Sequence, residues 1–378
     1  MASYTITTKG SSVNYDTYSP SWNSACQIDS NHFINFWNGG NFGNNGLTQV
    51  FEINTSTWNV TTSNSNLDYI ITGEYNSCAN IDSNHFINFC AGSGDDAFAQ
   101  VIEVNTTTWA VTTASAALEF DTVYGLYNDC CQIDSNHFIN FWLGNGGDGY
   151  GQVFEVNTTT WAVTTANSSL NIDSGSAFYH SCKKIDDNHV INFWAGTGTD
   201  GFVQVFEVNT TTWAVTTANS LLEFDTVLGE HNSCAQIDSN HFINFWAGSG
   251  NDGFVQVFEI NTSTWAITTA AASLEFDTAN VDYSKCVLID TNRFINFWYN
   301  SDRDDSYAQI FEVNTSTWEV VTAGSKLVFD TQGTGFNSCI MIDTAHVLNC
   351  FGGASLDGYA QIFEITEQTF TPFWITVD

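Results

Sequence analysis

Short apolar runs alternate with polar, turn-forming stretches along the whole chain, and the same order of runs returns again and again. In one copy, Cys234-Ala-Gln-Ile-Asp-Ser-Asn-His-Phe-Ile-Asn-Phe-Trp246 leads to a Gly/Asp-rich stretch, Gly248-Ser-Gly-Asn-Asp-Gly253. Then come Gln256-Val-Phe-Glu-Ile-Asn261, the polar Thr-Ser-Thr, Trp265-Ala-Ile-Thr-Thr269, and a tail, Leu274-Glu-Phe-Asp-Thr278. The apolar runs are rich in Val, Ile, Phe, Trp and Thr, residues that favour extended backbone. Turn residues separate them at Asp238–His241, Gly248–Gly253 and Asn261–Thr264, so the unit predicts four strands joined by tight turns. No capped run of helical period occurs, and no helix is predicted.

Aligning the chain on itself gives seven such units. Cys recurs at 78, 130, 182, 234, 286 and 339, about every 52 residues, and the first copy has Ala25 in that column with Cys26 beside it. Four antiparallel strands per unit at this period describe propeller blades. The run His-Phe-Ile-Asn-Phe-Trp, apolar on both sides, suits a middle strand covered by a neighbouring blade on each face. The expectation is an all-β, seven-bladed β-propeller with four antiparallel strands per blade. Blades start near residues 24, 76, 129, 180, 232, 284 and 337 of a single domain, 1–378. Terminal strands would close the ring: residues 1–17 resemble an outer strand and tail with no unit before them. Thr369-Phe-Thr-Pro-Phe-Trp374 also resembles one, although Pro372 suits only an edge. The N-terminal segment is the favoured closure.

The order Phe351-Gly-Gly353, Phe258-Glu259 and Thr262-Ser-Thr-Trp265 within the unit resembles kelch-type propellers across essentially the whole chain. The resemblance implies topology and not a kelch partner, because most copies lack Gly-Gly and no Arg precedes the first strand. In texture the repeats are also similar to repetitive propellers of microbial and phage surface proteins.

Charge narrows the partners. Seven Lys+Arg stand against 41 Asp+Glu, a formal net charge of -34. Such a chain repels phosphate backbones and anionic lipid, so no nucleic acid and no membrane insertion are expected. With 43% hydrophobic and 15% aromatic residues, it can still build a core. The first residues carry no recognisable secretory signal, and no 18-residue apolar run occurs.

A residue present in every blade reads as scaffold, since a catalytic site is ordinarily unique in its chain. His32, His85, His137, His189, His241 and His346, with Arg293 in the sixth unit, each follow an Asp across a tight turn. They read as turn-closing pairs and not as a zinc site. The Cys column reads as small apolar residues. A hairpin turning at Thr344-Ala345 would set Cys339 opposite Cys350 for a cross-strand disulfide, while Cys130 and Cys131 read as free thiols. The sequons at Asn54, Asn105, Asn157, Asn209, Asn261 and Asn314 read as turns bonded side chain to backbone. The Gly/Asp loops lack a calcium-loop spacing, so no cofactor or metal is expected beyond weak surface calcium.

The copies differ in two connections, second-to-third and fourth-to-first, which share one face around the channel mouth. Binding residues belong on such loops. The candidates are Trp22, Tyr75, Tyr124, Tyr127, Phe178, Tyr179, His180, Glu230, His231, Tyr283, Lys285, Arg303 and Phe336; Gly40-Asn-Phe-Gly43 is an outlying loop of the same face. The expectation is a non-enzymatic adhesin, receptor-binding or lectin-like module, its ligand a glycan or protein, monomeric, on a cell or virion surface; free thiols favour a reducing setting instead. A repeat scaffold from recent amplification or design is the alternative. A hydrolase or oxidase on a propeller is the third, disfavoured because two arginines, Arg293 and Arg303, cannot build a three-arginine carboxylate clamp.

Overall fold

The computed structural model describes residues 3–39, 45–333 and 335–368. The Gly40–Gly43 loop and the segment Thr369–Trp374 with Pro372 lie outside them. Within these residues the chain forms seven separate sheets, each antiparallel, arranged as a seven-bladed propeller. Helix is confined to five single 3-10 turns among the described residues. No helix there is long and apolar enough to cross a membrane.

The fifth blade shows the plan. The inner strand Glu230–Gln236 pairs with the second, His241–Ala247, which pairs with the third, Gly253–Ile260. The outer strand comes in two pieces, Ile267–Thr269 and Leu274–Asp277, both paired to the third. Every residue of the second strand is buried, because the flanking blades cover both faces. The apolar cores accordingly lie between blades: Phe245 and Val257 of the fifth pack with Phe294 and Phe311 of the sixth.

The repeated polar residues fasten one blade to the next. His241 Nδ1 lies 2.9 Å from Asp238 Oδ1 across the turn, which also accepts the Asn240 and His241 N–H groups. The imidazole stacks at 3.5 Å on Trp318 of the following blade. That tryptophan sits at φ +61°, where the Asn314 turn turns it back toward the ring. Five other His–Trp pairs repeat this contact, the last, His346 on Trp58, joining the seventh blade to the first. A second fastener joins the tail Asp of one blade to the buried Trp of the next: Trp246 Nε1 donates to Asp225 at 2.9 Å. In the second blade Cys90 replaces this Trp, and the preceding tail ends in Ile70 instead of Asp.

Ring closure uses the N-terminal strand. Ser3–Asp16 runs along Gly358–Gln368, from Ser3 opposite Gln368 to Asp16 opposite Gly358, with register shifts between Lys9 and Val13 and between Asn14 and Asp16. Here the fastener changes chemistry. The closing strand brings Tyr4 where other blades have Trp, and Arg293 replaces His, its guanidinium 4.4 Å from the Tyr4 ring centre. Asp16 then accepts from Trp37 Nε1 at 2.7 Å, so the seventh blade is tied to the sixth through Tyr4 and to the first through Asp16.

The register corrects the expected disulfide. Cys339 stands opposite Asn349, and Cys350 opposite Ser338. An offset of one residue places the two thiols on opposite faces of the sheet, and both are free.

Candidate functional site

Each inner strand carries the same bulge. In the third blade, Leu126 pairs with Leu143 and Asp129 with Phe141, leaving the two residues Tyr127 and Asn128 opposite the single residue Trp142. A bulge bends the strand and re-aims a side chain. Tyr127 takes φ +55°, a left-handed conformation uncommon outside glycine. The same conformation recurs at Trp22, Tyr75, Tyr179, His231, Tyr283 and Phe336, one per blade. All seven rings thereby turn toward the axis and form a closed circle. Going round, the centroid separations are 3.9 Å (Trp22–Tyr75), 4.5 Å, 4.7 Å, 4.1 Å (Tyr179–His231), 4.9 Å, 4.1 Å and 4.8 Å back to Trp22.

Two polar circles lie along the same strands. The residue after each ring is Asn in five blades, and its carboxamide bonds the fully buried Asn of the second strand, as in Asn244 Nδ2 to Asn232 Oδ1 at 2.8 Å. The next residue is Ser in five blades, and its hydroxyl accepts the inner-strand N–H of the following blade. Cys286 N donates to Ser233 Oγ at 2.9 Å, and Ala25 N to Ser338 Oγ at 2.9 Å across the closure. Together the three circles line a cup of about 690 Å³, measured out to its open mouth.

Against this repetition a few residues break the symmetry, all in the third to sixth blades. Asp129 and Lys285 replace Ser, His180 and Ser284 replace Asn, and His231 replaces an aromatic carbocycle. Asp129 keeps the link, accepting Cys182 N–H at 2.6 Å. Lys285 cannot accept, and among the described residues no hydroxyl reaches the Cys339 N–H; its ammonium is in no ion pair there. His180 accepts from Asn192 Nδ2 at 3.0 Å, and burial pushes its imidazole down to about 3, so it stays neutral. His231 is also buried, and its Nε2 lies 3.1 Å from Asp282 Oδ1. Burial would raise the Asp282 carboxyl, but the hydrogen bond and charge of His231 outweigh it and hold it below the usual carboxylate range. The other nitrogen, His231 Nδ1, is buried and has no partner among the described residues. Burial raises the Tyr75 and Tyr179 phenols well above the ordinary value, and with Asp282 it pushes Tyr283 up to about 12. These phenols stay protonated donors.

The structure brings Trp22, Tyr75, Tyr127, Tyr179, His180, His231, Tyr283, Lys285 and Phe336 together in the cup. It leaves out four other candidates. Tyr124 is exposed on a connection, Phe178 packs edge-on beneath Tyr127 at 5.3 Å, Glu230 pairs opposite Ala247 at the strand start, and Arg303 lies on the loop beside Tyr307. The sequence reading missed Asp129, Asp282 and the Asn and Ser circles. Asp129 was findable as the one acid in a serine column. No group of three or more His, Cys, Asp or Glu among the described residues could hold a metal ion.

No protein-family profile matches the chain, and no curated protein matches it in sequence. Solved structures match in fold. A candidate 6-phosphogluconolactonase from Bacteroides uniformis superposes with TM-score 0.63 at 8% identity, covering 82% of this chain and 85% of that one. Saccharomyces cerevisiae Sqt1 superposes with TM-score 0.58 at 10% identity, covering 96% and 99%. Chaetomium thermophilum Sqt1, bound to the N-terminus of ribosomal protein L10, gives 0.54 at 11%, covering 92% and 86%. At these identities the likeness shows the propeller fold and does not confirm the kelch family. It does overturn the expectation of a non-enzymatic adhesin or lectin-like module with enzymes excluded, because the structures of this fold include a candidate lactonase. The exclusion rested on counting arginines, which bears on carboxylate clamps and not on a histidine–aspartate pair.

Proposed function

We propose that the cup is a hydrolytic site for a small sugar lactone or ester. The observation that carries this reading is the His231–Asp282 pair, unique in a circle of repeated rings that lines the cup, with the second imidazole nitrogen buried and unpartnered among the described residues. With Asp282 accepting from Nε2–H, the lone pair of His231 lies on Nδ1, the tautomer assigned from that hydrogen bond. Once a turn of the ring brings the buried Nδ1 to the cup, it takes a proton from water as the water oxygen attacks the carbonyl carbon. Asp282 holds the ring and stabilises the imidazolium that forms. Lys285 supplies the positive charge that an oxyanion in the cup needs. The proton on His231 then passes to the alkoxide as the acyl C–O bond breaks, which restores the base. The aromatic circle offers apolar faces to the C–H surface of a sugar ring, and its phenols donate to hydroxyl groups.

Charge selects among such substrates. Two cations, Lys285 and the partly buried Lys183 whose charge acts on Asp129, stand against Asp129 and Asp282, with Glu230 at the strand start. This suits a neutral or singly charged lactone better than a phosphorylated one. The test is pH-stat titration with neutral aldonolactones and their phosphorylated counterparts. Wild type is expected to hydrolyse the neutral series faster, and Asp282→Asn to lose about 10²–10⁴-fold in kcat by fixing the wrong tautomer. Wild-type rates no higher than buffer, or an unaffected Asp282→Asn, would refute the reading.

A further inference from the structure

The cysteines that fall out of step with the repeat sit where they meet another cysteine. The column after the Cys column holds Ala79, Lys183, Ala235, Val287 and Ile340 in five blades, and a second thiol, Cys26 or Cys131, in the other two. Cys26 Sγ lies 2.7 Å from Cys78 Sγ of the next blade. Cys131 occupies the same place in the third blade, and Cys182 of the fourth takes the part of Cys78, packed in one cluster with Cys131. Each pair shares one inter-blade apolar cluster, Cys26 with Cys78 and Cys182 with Cys131. One member of each pair is buried, while Cys78 and Cys131 are partly exposed along the inner strands.

We propose that Cys26–Cys78 and Cys131–Cys182 are two inter-blade dithiol sites that oxidise to disulfides, stapling the first blade to the second and the third to the fourth. The co-reactant is a small-molecule disulfide such as oxidised glutathione. The thiolate of the more exposed cysteine, Cys78 or Cys131, attacks one sulfur of the reagent and expels a thiolate. The buried partner then loses its proton, attacks the protein sulfur of the mixed disulfide and expels the second. Two thiols are oxidised, one reagent disulfide is reduced to two thiols, and the protons go to solvent. The remaining six cysteines have no such partner column. Cys90 and Cys350 lie in second strands, and Cys130, Cys234, Cys286 and Cys339 repeat one per blade.

The experiment is intact mass spectrometry of the whole protein after oxidised glutathione, followed by alkylation in denaturant and chymotryptic mapping. The expected result is a loss of four hydrogens, six alkylated cysteines, and cross-linked peptides joining 26 to 78 and 131 to 182. Cys26→Ala and Cys131→Ala, which copy Ala79 and Ala235 of intact blades, should each abolish one cross-link and leave the other. Ten alkylated cysteines, stable glutathione adducts at these positions, or scrambled pairings would overturn the proposal. None of these outcomes bears on hydrolysis, so it stands or falls apart from the reading of the cup.

Discussion

Lys285→Ser should make the protein more stable and less active. Six of the seven inner-strand boundaries carry a side chain that accepts the next strand's N–H, at 2.6–3.0 Å. The seventh, from Lys285 to Cys339, does not. A serine there completes the circle, and one net hydrogen bond contributes about 0.5–1.5 kcal/mol. For a chain this long the unfolding entropy is roughly 0.8 kcal/mol per kelvin, so Tm should rise by about 1–2 °C. The matched perturbation, Ser233→Ala, strands the Cys286 N–H beside a buried serine position. An unmet buried donor costs about 1–3 kcal/mol, so Tm should fall by about 1–4 °C. Differential scanning calorimetry at one scan rate measures both, and pH-stat turnover of a neutral lactone should fall about 10²-fold in Lys285→Ser alone. A lower Tm in Lys285→Ser, or an unchanged one in Ser233→Ala, would refute the account of the circle. A natural residue that sacrifices a structural link is expected where function requires it.

Acid should loosen the blade fasteners. In Asp29, Asp82, Asp134 and Asp238, backbone N–H groups and the histidine overcome burial and hold the carboxyls below their usual range; in Asp290 the arginine does the same. Their contribution is therefore complete above the unfolded value of about 4 and is lost as pH falls through the folded values, so the urea midpoint should be flat above about pH 5 and drop below about 4, less steeply in Asp238→Asn. Arg293→Ala removes the contact with Tyr4, worth about 0.5–1 kcal/mol, and amide exchange in residues 4–9 should speed up roughly two- to fivefold.

The blade plan was legible because it is local and sevenfold: the turn at Asp238–His241, the Asn261 turn and the apolar second strand each repeat within one unit. The cup was legible only in part. Tyr127 and Tyr124 look alike in sequence, three residues apart, yet the bulge at Tyr127–Asn128 turns one ring to the axis and leaves the other on the surface. No propensity marks an aromatic residue for a left-handed backbone. The partner of His231 is 51 positions on, in the next blade, and the second strand's apolar appearance hid an Asn column that needs an inner-strand carboxamide. Contacts between blades are set by ring geometry, and a repeat alignment shows which residues are equivalent but not which ones touch.

Comparing the one histidine that breaks the repeat with one that belongs to it tests the central claim most directly. His231→Gln and His241→Gln are to be measured side by side for Tm and for kcat on a neutral lactone. Loss of kcat with little change in Tm for His231→Gln, and a lower Tm with kcat preserved for His241→Gln, is the result predicted. Turnover that survives in His231→Gln, or that depends equally on both histidines, would contradict the claim that chemistry resides in the residues set against the repeat.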